Sequence, residues 1–134
     1  MLKEVISEEQ ALKEIDALLD KKKILPKRRA TIQEGIDTVV EAMMYGLVTI
    51  DEKGCIKQTL QFPLGDNNSM TELVYADRIA PATIQKALST IKVDSGTNRC
   101  LAYITTYTSN LQTTILNLES PDWNIAAAIS LFFM

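Results

Sequence analysis

The chain has 134 residues, 46% of them hydrophobic and 23% charged, which is the composition of one folded domain rather than of a disordered segment. Its 14 Lys and Arg residues against 17 Asp and Glu residues give a formal net charge of -3, which excludes a strongly basic nucleic-acid-binding protein on bulk charge. No histidine occurs, and this absence removes Ser-His-Asp catalysis, Cys-His catalysis and most zinc sites.

The first predicted element is a helix over residues 8–22. Ser7, followed three residues later by Gln10, has the pattern of a capping box, in which the serine hydroxyl accepts a hydrogen bond from the Gln10 amide. Acidic residues occupy the first turns and three lysines close the last turn, where each sign of charge suits the helix dipole. The apolar positions recur at helical spacing and are Leu12, Ile15, Leu18 and Leu19.

A second helix is predicted after the break at Leu25-Pro26. A residue before proline is pushed out of the helical region, so the first helix is expected to end there. The two helices would form an antiparallel hairpin over residues 1–45, with a core thin enough to require packing on a later part of the chain. The apolar stripe of the second helix comprises Ile32, Ile36, Val39, Val40, Met43, Met44 and Leu47.

At Gly46 the pattern changes from helical to extended. Residues 47–62 contain two β-type runs separated by an acidic turn that ends in glycine, which predicts a β-hairpin with one solvated face. Pro63 is expected to end the second strand, and residues 73–75 to add the third strand that such a small sheet needs. The face expected to be buried carries Ile56, Leu60 and Phe62.

Three helices are expected after the sheet. The first opens at Pro81, and a second stripe runs over residues 100–111 after a break at Ser95-Gly96. Ser120 is the expected N-cap of the last helix, with proline at the first helical position and an acid in the first turn. The apolar face of this last helix carries Ile125, Ile129, Phe132 and Phe133.

These elements predict a mainly helical α+β protein. The order is an N-terminal helical hairpin (residues 1–45), then a small antiparallel β-sheet and three C-terminal helices (residues 46–134), packed as one compact unit. Self-association through the N-terminal hairpin stays open, because packing within the chain and between copies would leave the same apolar stripe.

The cysteines and the apolar runs predict a cytoplasmic protein. Cys55 and Cys100 are too few for a disulfide scaffold or a four-thiolate metal site, and we expect both to be free thiols in or near the core. The first residues lack a secretory signal, and the most apolar stretch, residues 123–134, is shorter than the roughly 20 residues that span a bilayer. No catalytic, cofactor-binding or metal-binding residues are expected.

One cluster of charge stands out, because six of the 14 Lys and Arg residues lie within residues 21–29. It is interpreted as a solvated turn between helices, as a contact for the acidic surface of a protein partner, or as a grip on nucleic-acid phosphates. The cluster lacks the interleaved aromatic residues that stack on single strands, so a nucleic-acid partner is the least favoured of the three.

Two apolar groups are candidates for binding a protein partner. Met43, Met44 and Tyr45 end the second predicted helix, and methionine adapts to irregular surfaces. The C-terminal residues are strongly apolar although termini usually fray unless they are docked. Both groups could instead fill the core, and the natural product could continue past its last residue here. The C-terminal candidates are Trp123, Ile129, Phe132 and Phe133.

Residues 46–134 resemble the small tail assembly chaperones of tailed bacteriophages. In that family a strand pair precedes a helical domain whose last helix opens near an aspartate and closes on aromatic residues. Here the corresponding features are the hairpin with its acidic-Gly turn at residues 46–62, the short strand and arginine at residues 73–78, and the Leu-Glu-Ser-Pro-Asp-Trp segment at residues 118–123. The N-terminal hairpin departs from the family pattern.

The resemblance implies a non-enzymatic chaperone in the cytoplasm of the host cell. Such a protein binds the long, helical tape measure protein and keeps it soluble while the tail polymerises, and it often also exists as a longer, frameshifted product. The alternative is another small interaction module, such as a secretion-type chaperone or an adaptor. Independently of the resemblance, a small acidic α+β protein with surplus apolar residues near its end suits a binder of apolar helices, without a cofactor or a membrane.

Overall fold

The structure is a computed structural model and describes residues 2–91 and 96–134. Within these ranges the chain forms seven α-helices and three β-strands, which confirms the mainly helical α+β class. The helices are α1 (Glu8–Lys21), α2 (Pro26–Thr31), α3 (Gln33–Met44), α4 (Pro81–Thr90), α5 (Gly96–Thr108), α6 (Gln112–Leu116) and α7 (Ser120–Ser130).

The three strands form one antiparallel sheet in the order β1-β2-β3. Single 3-10 turns precede β3 and follow α7, at Asp66–Asn68 and at Leu131–Phe133. The strands are β1 (Val48–Ile50), β2 (Ile56–Leu64) and β3 (Met70–Val74).

Helix α1 begins and ends within one residue of the prediction. The Gln10 amide donates to Ser7 Oγ at 3.1 Å, so the predicted serine cap is confirmed. At the other end, the amide of Lys23 donates to the Asp20 carbonyl and the amide of Ile24 to the Leu19 carbonyl, which is the Schellman pattern. The helix stop is therefore made by the backbone before Pro26 is reached.

The N-terminal region contains three helices rather than two, which corrects the predicted hairpin. Leu25 is extended, as expected before proline, but Pro26 then begins the short helix α2. The fixed φ of proline suits the first turn of a helix, where its missing N–H has no partner to lose. Residues 26–29, interpreted as part of a turn, are therefore helical, and α3 follows directly after α2.

The register of the sheet shifts between Thr59 and Leu64 of β2. The strand alternates as predicted from Ile56 to Leu60, and both of these residues are buried. The predicted burial of Phe62 is wrong, because the alternation does not continue through the shift and half of this residue is exposed. The strand also runs through Pro63 rather than ending there, which irregular pairing permits.

The C-terminal region contains four helices rather than three. The predicted stripe over residues 100–111 ends earlier, since α5 stops at Thr108 and Leu111 is the exposed N-cap of an additional helix, α6. Helix α7 includes Ser120 as its first residue, and its N-cap is Glu119, so the predicted serine cap is wrong. The break expected at Ser95-Gly96 lies partly outside the described residues.

The N-terminal helices pack on the C-terminal ones in a common core. Helix α3 contacts both α1 and α7, and α7 also contacts α5 and β2. Gly35 permits the α3–α7 contact, because a Cβ atom built there would lie 2.7 Å from Leu131 Cδ1 and 3.6 Å from the Ala128 carbonyl oxygen. Because of this contact, α3 and α7 lie side by side. The two helices form the walls of the surface described next.

Candidate protein-binding groove

Two neighbouring depressions lie along α3 and share the side chains of Glu41 and Tyr45; together they are termed the α3 groove. The larger has a volume of about 520 Å³ and extends from α3 to α7, and the smaller has about 340 Å³ and lies between α1 and α3. Side chains that line the groove include Leu2, Glu8, Leu12, Asp37, Val40, Ala42, Met44, Leu47, Pro121, Asn124 and Ile125.

The shape of the groove follows from how α3 ends. Gly46 lies after the C-cap with a φ of 74°, where glycine has no steric penalty, and the chain turns there into β1. The amide of Leu47 donates to the Ala42 carbonyl at 2.8 Å, and the amide of Val5 donates to the Met44 carbonyl at 2.6 Å. The N-terminal segment is thereby held against the end of α3.

Apolar side chains in the α3 groove remain accessible to a partner. Leu2 is 51% exposed and Leu12 is 39% exposed, while Met44, Tyr45 and Leu47 are half-buried. Because the core already buries the inner face of α3, these side chains form a second, outer apolar surface. Such a surface can accept the apolar face of a helix.

The charge of the groove has one sign. Glu8, Asp37 and Glu41 line it, and none of the described residues that line it is lysine or arginine. Acidic side chains beside an apolar floor attract a partner whose apolar face is flanked by basic residues. The arrangement can therefore select and orient a basic amphipathic helix.

The structure separates the predicted partner-binding residues into three environments. Met44 and Tyr45 line the α3 groove. Met43, Ile129 and Phe132 are buried in the core, so the core-filling interpretation applies to them and they are not accessible to a partner.

The other two candidates, Trp123 and Phe133, are half-buried and pack on the core, and neither lines the groove. Phe133 stacks on Tyr107 with ring centres 3.9 Å apart, and the Lys22 ammonium lies 4.6 Å from the centre of the Phe133 ring. The C-terminal candidates therefore do not join Met44 and Tyr45 in one surface.

Asp122, which is not among the predicted site residues, holds one wall of the groove in place. Its side chain is fully buried in the first turn of α7, and its two oxygens accept the amides of Gln61 and Phe62 at 2.8 and 2.9 Å. These two amides belong to the part of β2 where the register shifts. The aspartate was visible as a helix-start signal, but its partners lie about 60 residues away in the chain.

The same wall contains a buried side chain, Gln58, that makes two hydrogen bonds. The fully buried side chain of Gln58 donates from Nε2 to the Asp122 carbonyl at 2.9 Å and accepts from the Tyr75 hydroxyl at 2.9 Å. Burial raises the pKa of Tyr75 well above its ordinary value. These hydrogen bonds join β2 and Tyr75, the residue after β3, to α7. They hold in place the wall of the groove that α7 forms.

The basic cluster of residues 21–29 does not act as a unit. Arg29 pairs with Asp20 at 2.5 Å and donates to the Ile24 carbonyl at 2.8 Å, and Arg28 donates to the Leu131 carbonyl at 3.4 Å. Both arginines are thus engaged within the chain. Lys21 and Lys22 also have partners within the chain, because Lys21 donates to the Lys53 carbonyl and Lys22 to the Asp77 carbonyl. All three lysines at the end of α1 line a separate pocket.

Cys55 and Cys100 are free and half-buried. Across residues 2–91 and 96–134, no group of three or more His, Cys, Asp or Glu side chains is placed to hold a metal ion. None of the helices in these ranges has the length and apolar character needed to cross a membrane. Comparison with protein-family models, with curated proteins and with solved structures finds no match for this chain.

Proposed function

We propose that this protein is a non-enzymatic assembly chaperone that holds an amphipathic helix of a protein partner in the α3 groove. The partner we propose is a long helical protein of the tape measure type, which the chaperone keeps soluble while a phage tail polymerises. The observation that carries the proposal is the groove itself, which combines accessible apolar side chains with acidic residues and no lining lysine or arginine among those described.

The apolar part of the groove supports binding of a helix rather than of a small polar molecule. Leu2 lines the larger depression and Leu12 lines the smaller one. Met44 and Tyr45 lie at the C-terminal end of α3 and also line the groove. An amphipathic helix presents anchors at positions i, i+3, i+4 and i+7, and an extended groove with several apolar contacts suits that spacing. Methionine and leucine also adapt to successive segments of a long partner.

The acidic residues of the groove support a partner with basic flanks. Glu8, Asp37 and Glu41 would meet Lys or Arg residues beside the apolar stripe of the bound helix. Charges at the rim of an interface contribute mainly to association rate and orientation, and they are screened by salt. Fast, salt-sensitive association and reversible release suit a chaperone that must give its partner up during assembly.

The identity of the partner rests on the resemblance of residues 46–134 to tail assembly chaperones. In the structure these residues supply one wall of the groove, through Leu47, Pro121 and Ile125, and residues 1–45 supply the other. The absence of histidine from the sequence supports a role without acid–base catalysis at neutral pH.

The experiment is co-expression with the genes encoded next to this one, with solubility of the largest helical product as the measurement. We expect that product to be insoluble alone and soluble with the wild-type protein. Leu12→Ser and Glu41→Lys should each reduce the soluble fraction severalfold, because one removes an apolar contact and the other reverses a groove charge. Glu41→Lys should melt like the wild type, since Glu41 is exposed. Leu12→Ser should remain folded but melt at a lower temperature, since Leu12 is 39% exposed and loses some packing within the chain.

Matched controls carry the same substitutions outside the groove. Leu116→Ser changes an exposed leucine of α6, and Glu52→Lys reverses a charge in the β1–β2 turn. Full solubilisation by Glu41→Lys and Leu12→Ser, or equal losses in the controls, would contradict groove binding. Capture of a compact partner through the groove would instead favour the adaptor alternative.

A further inference from the structure

A basic pocket lies at the C-terminal end of α1, apart from the α3 groove. It has a volume of about 300 Å³ and receives Lys21, Lys22 and Lys23 from the end of α1 and Arg78 from the segment after β3. Tyr107 and Phe133 provide an aromatic wall. A volume near the lower limit of small-molecule sites, with polar groups converging on an apolar wall, is the form of a ligand pocket.

The positive side chains that line the pocket outnumber the negative ones. Asp77 is the one acid among the described residues that line it, and its Oδ1 lies 3.6 Å from Lys22 Nζ. Four cations against one carboxylate leave a formal charge of 4 − 1 = +3 around a single concavity, in a protein whose net charge is -3. A concave wall of low dielectric focuses such a field and attracts anions.

Lys22 is the most enclosed of these cations. Its side chain is only 11% exposed, and it also donates to the Asp77 carbonyl at 3.3 Å. Burial lowers the pKa of Lys22, Asp77 opposes this change, and the like charge of Arg78 adds to it. The ammonium of Lys22 is therefore enclosed and paired with Asp77, while the other cations that line the pocket have no carboxylate partner among its described lining residues.

The backbone of Lys23 gives an independent observation. Lys23 occupies the position after the α1 cap with a φ of 57°, a conformation that favours glycine. The same position after α3 is occupied by Gly46. Among the described residues, Asn67, Asn68 and Ser109 adopt the same conformation. Lys23 differs from them because its side chain lines the pocket.

The simplest alternative is that these lysines only complement the negative end of the α1 dipole. That effect accounts for positive charge in the last turn. It does not account for Arg78, which comes from a different element, or for a lysine where glycine would be less strained.

We propose that this pocket binds a small phosphate-bearing ligand, with Lys23 and Arg78 contacting the phosphate oxygens. Lys21 contributes charge at the edge of the pocket, because its ammonium donates to the Lys53 carbonyl. Two adjacent phosphoryl groups, as in pyrophosphate or a nucleoside diphosphate, match a charge of this size better than one. Their source is either inorganic or organic, and an organic group would lie against Tyr107 and Phe133. The proposal does not rest on the proposed chaperone function, since the pocket and the α3 groove share no lining residue.

The experiment is calorimetric titration of the full chain with sodium pyrophosphate at low ionic strength. We expect saturable binding, and Lys23→Gly should weaken it by about 10- to 100-fold, the effect of losing a hydrogen bond to a charged group. The same variant should melt at a higher temperature than the wild type, because glycine relieves the strained backbone. Arg78→Ala should also weaken binding, while Lys27→Ala, in α2 outside the pocket, should bind as the wild type does.

Further ligands distinguish the source of the phosphate. Equal affinity for pyrophosphate and ADP would support recognition of the phosphates alone, and tighter binding of ADP would support contact of the organic group with the aromatic wall. Binding of sulfate as tight as that of pyrophosphate, an unchanged affinity in Lys23→Gly, or the absence of saturation would overturn the proposal. Binding of polyglutamate in place of pyrophosphate would overturn it in favour of an acidic protein partner.

Discussion

At the scale of single residues, Asp122 does more than begin a helix. Two consecutive amides of β2 lose regular ladder partners where the register shifts, and its carboxylate accepts both of them. The aspartate also lies in the first turn of α7, where a negative charge is favourable. One buried side chain thus joins an irregular strand to the last helix and fixes a wall of the α3 groove.

The first prediction concerns this carboxylate. Asp122→Asn keeps one acceptor but turns an NH₂ group toward one of the two amides, so a buried donor loses its partner. We expect the free energy of unfolding to fall by about 1–3 kcal/mol. Urea denaturation followed by circular dichroism measures it. Asp16→Asn, an exposed change in α1, is the control and should stay within about 0.5 kcal/mol of the wild type; an equal loss in both variants would contradict the assigned role.

At the scale of elements, the contact of α3 with α7 joins the N-terminal helices to the rest of the chain. Gly35 lies in this contact, and its lack of a side chain leaves room for Leu131 and for the backbone at Ala128. The amphipathic stripe of α3 predicts that one face is buried, but the stripe does not say which element covers it. The close approach explains why a glycine is retained inside a helix, where it costs about 1 kcal/mol relative to alanine.

The second prediction changes the size of this side chain. Gly35→Leu should lower the free energy of unfolding by about 1–3 kcal/mol, since the larger side chain meets the α7 backbone as well as Leu131. Gly35→Ala should be close to neutral, because the gain in helix propensity offsets a small movement of the Leu131 side chain. Thermal melts of the two variants provide the measurement, and equal stability of Gly35→Leu and the wild type would argue against a close α3–α7 contact.

At the scale of the whole molecule, two separate surfaces carry opposite charge. The α3 groove is apolar and acidic, and the pocket at the end of α1 is aromatic and basic. A net charge of -3 conceals this division, because it sums residues that lie on different surfaces. Because the pKa values of Tyr75, Tyr107 and Lys22 are shifted in the folded chain, the stability of the fold changes with pH in the alkaline range.

The third prediction is the sign of that dependence. Burial raises the pKa of Tyr75 and of Tyr107, so the folded chain keeps protons that the unfolded chain releases near pH 10. Their contribution to stability is complete below about pH 10 and is lost as the pH rises above it. Lys22 acts in the opposite direction, because its lowered pKa makes stability rise with pH in the window just below about 10.5.

Tyr107→Phe tests this dependence, because it removes the titrating hydroxyl and keeps the ring that stacks on Phe133. Urea denaturation at pH 8 and at pH 10.5 should show a smaller loss of stability in the variant than in the wild type. A loss of the same size in both proteins would exclude Tyr107 as a source of the alkaline dependence.

The sequence by itself determined the elements whose signals are local. Helix α1, its Ser7 cap and the β-hairpin followed from periodicity and from residues a few positions apart, and the α+β class followed from their order. Such signals can be read along the chain because helix and strand geometry repeat within a few residues. The short helices α2 and α6 were missed since neither carries a periodic stripe.

Tertiary structure decided everything that depends on distant partners. The chain pattern did not separate buried Met43 from accessible Met44 and Tyr45, and it did not show that Phe62 would emerge at a register shift. Asp122 finds its partners about 60 residues away. An amphipathic pattern states that a face is buried, but only packing determines against which surface, because contacts between distant residues leave no local repeat in the sequence.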